Sequence, residues 1–297
     1  WISSLPLHLQ LFDTFRFERP KYAHLGLLMK IDEEGVRRKL SKRKDPEAAV
    51  SYYHEKGIPV DAVKLYLLTV ANSNFEEWLN QNPDRKVSEF QFSFKKISVS
   101  GSLFDLEKLL NISRNYISRL TAEDVYKGAL SYSKEYDIDF YNLLVKYKDY
   151  FINTFNIERG VKKPRKDYSM FSEIKNQTWY MLDELFNDNI EYEFNTITDR
   201  DEISSILKLY IEKYYNEEDD QETWFNRIKD LSEELGYAKE VKLYKESPDN
   251  YKGHVGDVSM VIRVALTSKS MTPNLYDIMK LFGKERIKNR FTLLIKN

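Results

Sequence analysis

The residues best suited to chemistry stand between Arg37 and Lys44, where Arg-Arg-Lys-Leu-Ser-Lys-Arg-Lys puts basic side chains at six of eight positions. At the centre lies Lys39-Leu40-Ser41-Lys42-Arg43, a serine between lysines. A solvated helix face spreads its charges. Here they crowd into what reads as a loop, closed by Asp45-Pro46 as an N-cap residue with proline at the first helical position. Several charged donors held just before a helix start can meet a polyphosphate together. A charge run taken alone is equally well a solvated surface, so the surrounding elements carry weight.

Met29 to Val36 has acidic turn residues and Gly35 between short strand-like segments, a hairpin leading into the basic loop. Pro46 to Lys56 reads as a helix ended by Gly57, and a second helix begins at Pro59 with Val63, Tyr66 and Leu67 on one face. Phe90 to Phe94 alternates apolar and polar over a length compatible with strand or helix, and 97–101 looks extended. Beyond residue 102 the pattern is helical. Thr121 to Asp124 resembles a capping box. Apolar stripes follow at Phe140, Leu143, Leu144, Tyr147 and Phe151, at Ile203 to Tyr214, and at Trp224, Ile228, Leu231 and Leu235, the last stopped by Gly236. A final helix starts at Thr272-Pro273 and runs to Phe282-Gly283. These stripes read as core. The expected fold class is mostly α, with a small mixed α/β segment carrying the basic loop.

The 297 residues, 42% apolar and 31% charged, fit a globular chain with more than one core. No apolar run approaches the roughly 20 residues that span a bilayer and no signal peptide opens the sequence, so a cytoplasmic protein is expected. With no cysteine and four scattered histidines, thiolate chemistry and metal-ligand spacing are absent; no metal site is expected. No glycine-rich phosphate loop occurs either. The formal net charge is −1, against the basic surplus usual for nucleic-acid binders. Its distribution is uneven: residues 1–170 carry 28 Lys/Arg and 23 Asp/Glu, and 171–297 carry 18 and 24. Phosphate contacts need local positive patches, whatever the charge elsewhere.

Lys39 to Arg43 resembles the second signature, of KMSKS type, of class I aminoacyl-tRNA synthetases, in the KLSKR form of glutamyl-tRNA synthetases. Other blocks follow in that family's order. Trp1 to Leu9 is similar to its W-x-S-S-x-P-x-H segment, and Pro20 to Leu28 to its P-x-[FY]-A-H-L-x-L-L approach. Leu103 to Leu109 resembles the FD-x-x-KL element, Ile262 to Thr267 the LR-x-ALT element, and Leu281 to Arg286 the LLGKER element. The helical second half resembles the bacterial type. Two features depart from the pattern: a longer hairpin before the loop, and Lys44-Asp45 where His-Gly is frequent.

The resemblance implies an excised C-terminal portion, since position 1 is tryptophan inside a block and no HIGH-type first signature occurs. It implies ATP and Mg2+ as cofactors, bound mainly by the part upstream, with glutamate and tRNA-Glu (tRNA-Gln in a relaxed relative) as partners of the whole enzyme and a monomeric state. Lys42, assisted by Lys39, would stabilise charge on the departing pyrophosphate. Ser41 would position the loop beside Arg43, and backbone groups of Leu27 and Leu28 would meet adenine. His8 and His24 are expected to be buried, hydrogen-bonded residues, and Trp1 to lie near the ATP site. The basic stretch Glu158 to Asp167 resembles the neighbourhood of anticodon contacts. Arg159 and Arg165, with Lys162 and Lys163, are its candidates, because a guanidinium can stack on an unpaired base or fork onto its edge. Lys284, Arg286, Lys288 and Arg290 form a further basic face open to phosphate contacts or solvation.

The implied organisation is a catalytic-region end and stem-contact region over 1–118, then two helical anticodon-binding subdomains over 119–200 and 201–297. The expected function is the C-terminal part of a glutamate–tRNA ligase, inactive alone. The alternatives are a non-discriminating or glutamine-related tRNA ligase and a non-catalytic helical tRNA-binding module.

Overall fold

The computed structural model describes residues 2–83, 85–97 and 101–295. Two compact units divide the chain, residues 1–113 and 114–297. The division falls a few residues before the position expected from the helical pattern, because the helix that crosses it runs from Leu106 to Arg119.

The first unit opens with α1 (Leu5–Thr14), none of whose residues is buried; Leu7, Leu11 and Phe15 are exposed. Strand β1 (Leu28–Ile31) pairs antiparallel with β2 (Arg37–Lys39), Met29 facing Lys39 and Ile31 facing Arg37. The expected hairpin is therefore present, with Gly35 at φ 79° and the Asp32 carboxylate accepting from the Val36 amide at 2.8 Å. A positive φ at the end of such a turn is what glycine supplies without steric cost. Half of the basic run belongs to β2, so the loop proper is residues 40–45.

The helix expected over Pro46 to Lys56 is broken. Pro46–Ala48 form a 3-10 turn, Ala49 is extended, and α2 (Val50–Lys56) follows, closed by Gly57 in the left-handed region. Asp45 does not cap it, its carboxylate being turned back toward the hairpin. Helix α3 (Val60–Ala71) buries Ala62, Leu65 and Tyr66; of the expected face only Tyr66 is buried, and Leu67 is 44% exposed. Helix α4 (Phe75–Gln81) carries Phe75 and Trp78, which pack with Phe90. That packing leaves Phe90 to Ser93 neither strand nor helix, between 3-10 turns at Val87–Glu89 and Phe94–Lys96. The extended reading of 97–101 falls largely outside the described residues, but β3 (Ser102–Leu103) runs parallel to β1 and gives the sheet order β2-β1-β3.

Helix α5 (Leu106–Arg119) leads into the second unit, whose regular structure, among the described residues, is helical apart from one isolated β-bridge, Ala238 with His254. Thr121 caps α6 (Ala122–Tyr136) by accepting from the Asp124 amide at 3.1 Å, while its hydroxyl bonds the Asp124 carboxylate. Helices α7 (Ile138–Lys146) and α8 (Lys148–Asn156) split the first apolar stripe at Tyr147. Together with α9 (Ile174–Thr178) they enclose a core that includes Val125, Phe140, Leu144, Phe151 and Ile174. A second core surrounds Tyr210, Ile228, Val258, Ile278 and Phe291. It is built from α10 (Asp183–Phe186), α11 (Arg200–Leu209) with its π-turn at Tyr210–Tyr214, α12 (Gln221–Glu234), α14 (Val255–Thr267) and α15 (Leu275–Thr292), whereas α13 (Val241–Glu246) buries none of its residues. This core already includes Tyr180 and Met181, while Leu182 packs in the first, so the two cores interleave over residues 180–182. Helix α15 starts at Leu275, capped by Asn274, later than expected; Gly283 (φ 70°) breaks it where the sequence places its end, and helix resumes beyond.

Candidate functional site

The loop after β2 is held by one carboxylate. Asp45 is buried and accepts two bonds from the Arg38 guanidinium, at 2.7 and 2.8 Å, and one from the Ser41 amide at 2.8 Å. Lys30 of β1 lies 3.4 Å from the same carboxylate and pairs with Glu47. The Lys44 and Asp45 amides both donate to the Ser41 carbonyl, and Arg43's amide lies 3.4 Å from the Ser41 hydroxyl. Bonds from Arg38 and from the Ser41 amide hold the Asp45 carboxyl well below the usual carboxylate range. The basic run thus divides by job. Arg38 is consumed inside, whereas Lys39, Lys42 and Arg43 are exposed and their side chains pair with no other described residue.

These three cations and Ser41 rim a groove of about 1090 Å³. Its walls are apolar: Leu27 and Leu28 on one side, Ile58, Val60, Val63 and Leu67 on the other. That explains the exposed half of α3, whose Val63 and Leu67 face the groove. The carbonyls of Leu27 and Leu28 each accept one bond, from the Ser102 and Leu40 amides, which ties this wall of the groove to β3 and to the turn. Tyr53 lines the same groove, its phenol pushed up to about 12 by burial. An apolar slot with a cationic rim suits a flat ring joined to a chain of phosphates. His8 is half-buried, His24 is exposed, contrary to expectation, and Trp1 lies outside the described residues.

In the second unit, the stretch 158–167 is a loop between α8 and the 3-10 turn at Phe171–Glu173. Lys162 and Lys163 are exposed at its tip, after Gly160 at φ 74°. Arg159 turns inward: its guanidinium donates to the carbonyls of Phe155 (2.7 Å), Ile117 (2.7 Å) and Leu120 (2.9 Å), and burial lowers its pKa. It ties the C-terminal ends of α5 and α8, where unsatisfied carbonyls collect. Arg165 pairs with Asp167 at 2.6 Å and lines a pocket of about 760 Å³ with Trp224, Phe225, Arg263, Thr272 and Pro273. The sequence reading gave no role to Phe225 or Arg263. Phe225 is 38% exposed beside a buried tryptophan, and Arg263 donates to the Pro273 carbonyl at 3.0 Å. The available signal was a second aromatic next to Trp224 that falls off the apolar stripe.

The C-terminal basic face is corrected in half its members. Arg290 is 2% exposed and donates to the Tyr180 and Leu266 carbonyls and to Asp183 at 2.7 Å, with Phe186 and Phe282 stacked on its guanidinium. Arg286 donates to Asp183 at 2.9 Å, to the Tyr150 hydroxyl at 2.7 Å and to the Met181 carbonyl. Both join α15 to residues 180–183; Arg290 is a core arginine and Arg286 is half-buried, its guanidinium engaged by these partners.

Comparison with known proteins fits this arrangement. A family model for the anticodon binding domain matches residues 139–295. A glutamate–tRNA ligase of Acetivibrio thermocellus is 45% identical over 295 residues, covering 99% of this chain and 53% of the relative. One from Clostridium perfringens is 43% identical over 293 residues, covering 98% and 53%. The chain therefore spans about half the length of the relatives it matches. A crystal structure of a glutamate-tRNA synthetase from Elizabethkingia anophelis superposes with a TM-score of 0.60 at 17% identity, over 100% of this chain and 55% of that one, which supports the fold. With an anticodon-binding domain over more than half its residues and ligase relatives along nearly all of it, the chain belongs to the glutamate–tRNA ligase family.

Proposed function

We propose that this chain is the loop-bearing and tRNA-binding portion of an enzyme that activates glutamate with ATP and Mg2+ and esterifies it to tRNA-Glu in the cytoplasm. The observation that carries the reading is the set of three uncommitted cations, Lys39, Lys42 and Arg43, on the rim of an apolar groove. Ammonium groups at that rim would stabilise negative charge that grows as pyrophosphate leaves, more than they stabilise bound ATP. Lys42 carries most of this role and Lys39 assists; Ser41 fixes the turn between them, and the N–H groups of Leu27 and Leu28 border the adenine side. ATP, when bound, supplies the adenylyl group. No group of three or more His, Cys, Asp or Glu able to hold a metal exists among the described residues, so the Mg2+ would be held upstream or by the phosphates.

For tRNA, Lys162 and Lys163 offer phosphate contacts. The pocket of Arg165, Arg263 and Phe225 suits an unpaired base, with guanidinium groups for its edge and an aromatic ring for its face. Arg159, engaged by three carbonyls, shapes that loop without touching the base. The residues before 114 would meet the tRNA stem, and the enzyme would act as a monomer. No described helix is long and apolar enough to cross a membrane. The test is charging of purified tRNA-Glu and tRNA-Gln by the full-length protein. Glutamylation of tRNA-Glu is expected; failure to charge either tRNA overturns the reading, and charging of both identifies a non-discriminating enzyme.

A further inference from the structure

We propose that Asp45 is a positioning residue: a latch, closed by Arg38 and Lys30, that holds the Ser41–Lys44 turn on the groove and so sets the apparent affinity for a nucleoside triphosphate. The proposal rests on the reading of the groove given above. Its geometry does not. Ser41 is bracketed on both sides, its amide donating to the Asp45 carboxylate at 2.8 Å and its carbonyl accepting from the Lys44 and Asp45 amides at 3.0 and 2.8 Å. The carboxylate is in turn fixed by both guanidinium arms of Arg38 on β2 and approached by Lys30 on β1. Asp32, 3.8 Å from the Arg38 Nε, and Glu47, paired with Lys30, complete the charged groups around it. The sheet is thereby wired to the turn through one buried side chain.

The consequence is electrostatic. Lys39, Lys42 and Arg43 repel one another and have no anionic partner among the described residues, so without the latch the turn loses what opposes that repulsion. When only a fraction of molecules holds the binding-competent arrangement, apparent affinity falls by that fraction.

The experiment has two arms. In the 297-residue chain, amide exchange at Ser41 is measured for wild type, Asp45→Ala and Arg38→Met. Wild-type protection is expected to fall at least about tenfold in both variants; Ser41 unprotected in wild type, or equally protected in the variants, overturns the latch. Arg38→Met leaves the Asp45 side chain in place but removes the guanidinium that anchors its carboxylate against the Ser41 amide, so it keeps the test open if Asp45→Ala does not fold. In the full-length ligase, glutamate-dependent ATP–pyrophosphate exchange is expected to show KM for ATP raised about tenfold, with kcat and KM for glutamate little changed. A rise in both KM values together, or in neither, overturns the positioning role. Wild-type protein with protected Ser41 but no exchange activity overturns the ligase reading and the ATP consequence while leaving the structural latch intact.

Discussion

Replacing Arg159 by methionine separates two meanings of an arginine in a basic loop. Its guanidinium makes three bonds of 2.7–2.9 Å to main-chain carbonyls at the ends of α5 and α8. Hydrogen bonds to a charged group contribute about 1.5–3 kcal/mol each, and a buried acceptor left bare costs about 1–3 kcal/mol. Arg159 is only partly buried, so water recovers some of these contacts, and the expected loss is about 2–4 kcal/mol overall. Domains of this size hold about 5–15 kcal/mol, so the effect is a large share. With a urea dependence of about 2 kcal/mol per molar, the midpoint of the second unit's transition should drop by about 1–2 M. Far-UV circular dichroism across a urea series measures it. Arg159→Lys should fall between, since one ammonium cannot span three carbonyls. A midpoint unchanged within about 0.3 M, together with lost tRNA binding, would return Arg159 to the role of base reader and refute the clamp.

Further expectations concern other elements. Arg290→Met should destabilise the second unit by about 3–5 kcal/mol, because it strips the partner from two buried carbonyls, although Asp183 keeps Arg286; calorimetry on the purified chain reads this. Phe225→Ala should weaken tRNA-Glu binding by about 1–3 kcal/mol at fixed salt with little change in melting temperature, as expected for a partly exposed stacking ring; filter binding decides, and unaltered affinity removes the pocket from the interface. Asp45's carboxyl is held below the unfolded value of 3.8, so its stabilisation is present above that pH and is lost only as pH falls through the lower, folded value. Ser41 amide protection should therefore survive at pH 4 and vanish in stronger acid; loss of protection between pH 5 and 4 would contradict the assignment.

How much of this was legible depends on where each residue's partners lie. The cationic turn from Lys39 to Arg43 was legible because its charges fall within five consecutive positions, and the structure brings them to the rim of one groove. The hairpin, the Thr121 cap and the break at Gly283 were likewise local, and the apolar stripes fell into the two cores. Asp45 was misread as a cap because its partners Arg38 and Lys30 are reached only across the hairpin. Arg159, Arg286 and Arg290 look like solvated charge until folding brings distant carbonyls to them; Arg290 meets those of Tyr180 and Leu266. A clue was present in the last case, since Arg286 and Arg290 sit one turn apart beside Ile287 and Phe291, on a stripe that is otherwise core. Phe90 to Phe94 failed for a related reason: the aromatic cluster with Phe75 and Trp78, and not alternation, sets the backbone there.

The most direct measurement is glutamate-dependent ATP–pyrophosphate exchange by the full-length protein carrying Lys42→Ala. Loss of one preorganised donor to the leaving group should lower kcat by about 10²–10³, with KM for glutamate nearly unchanged. An unaltered rate would show that the exposed ammonium on the groove's rim takes no part in the chemistry, and the central assignment would fall with it.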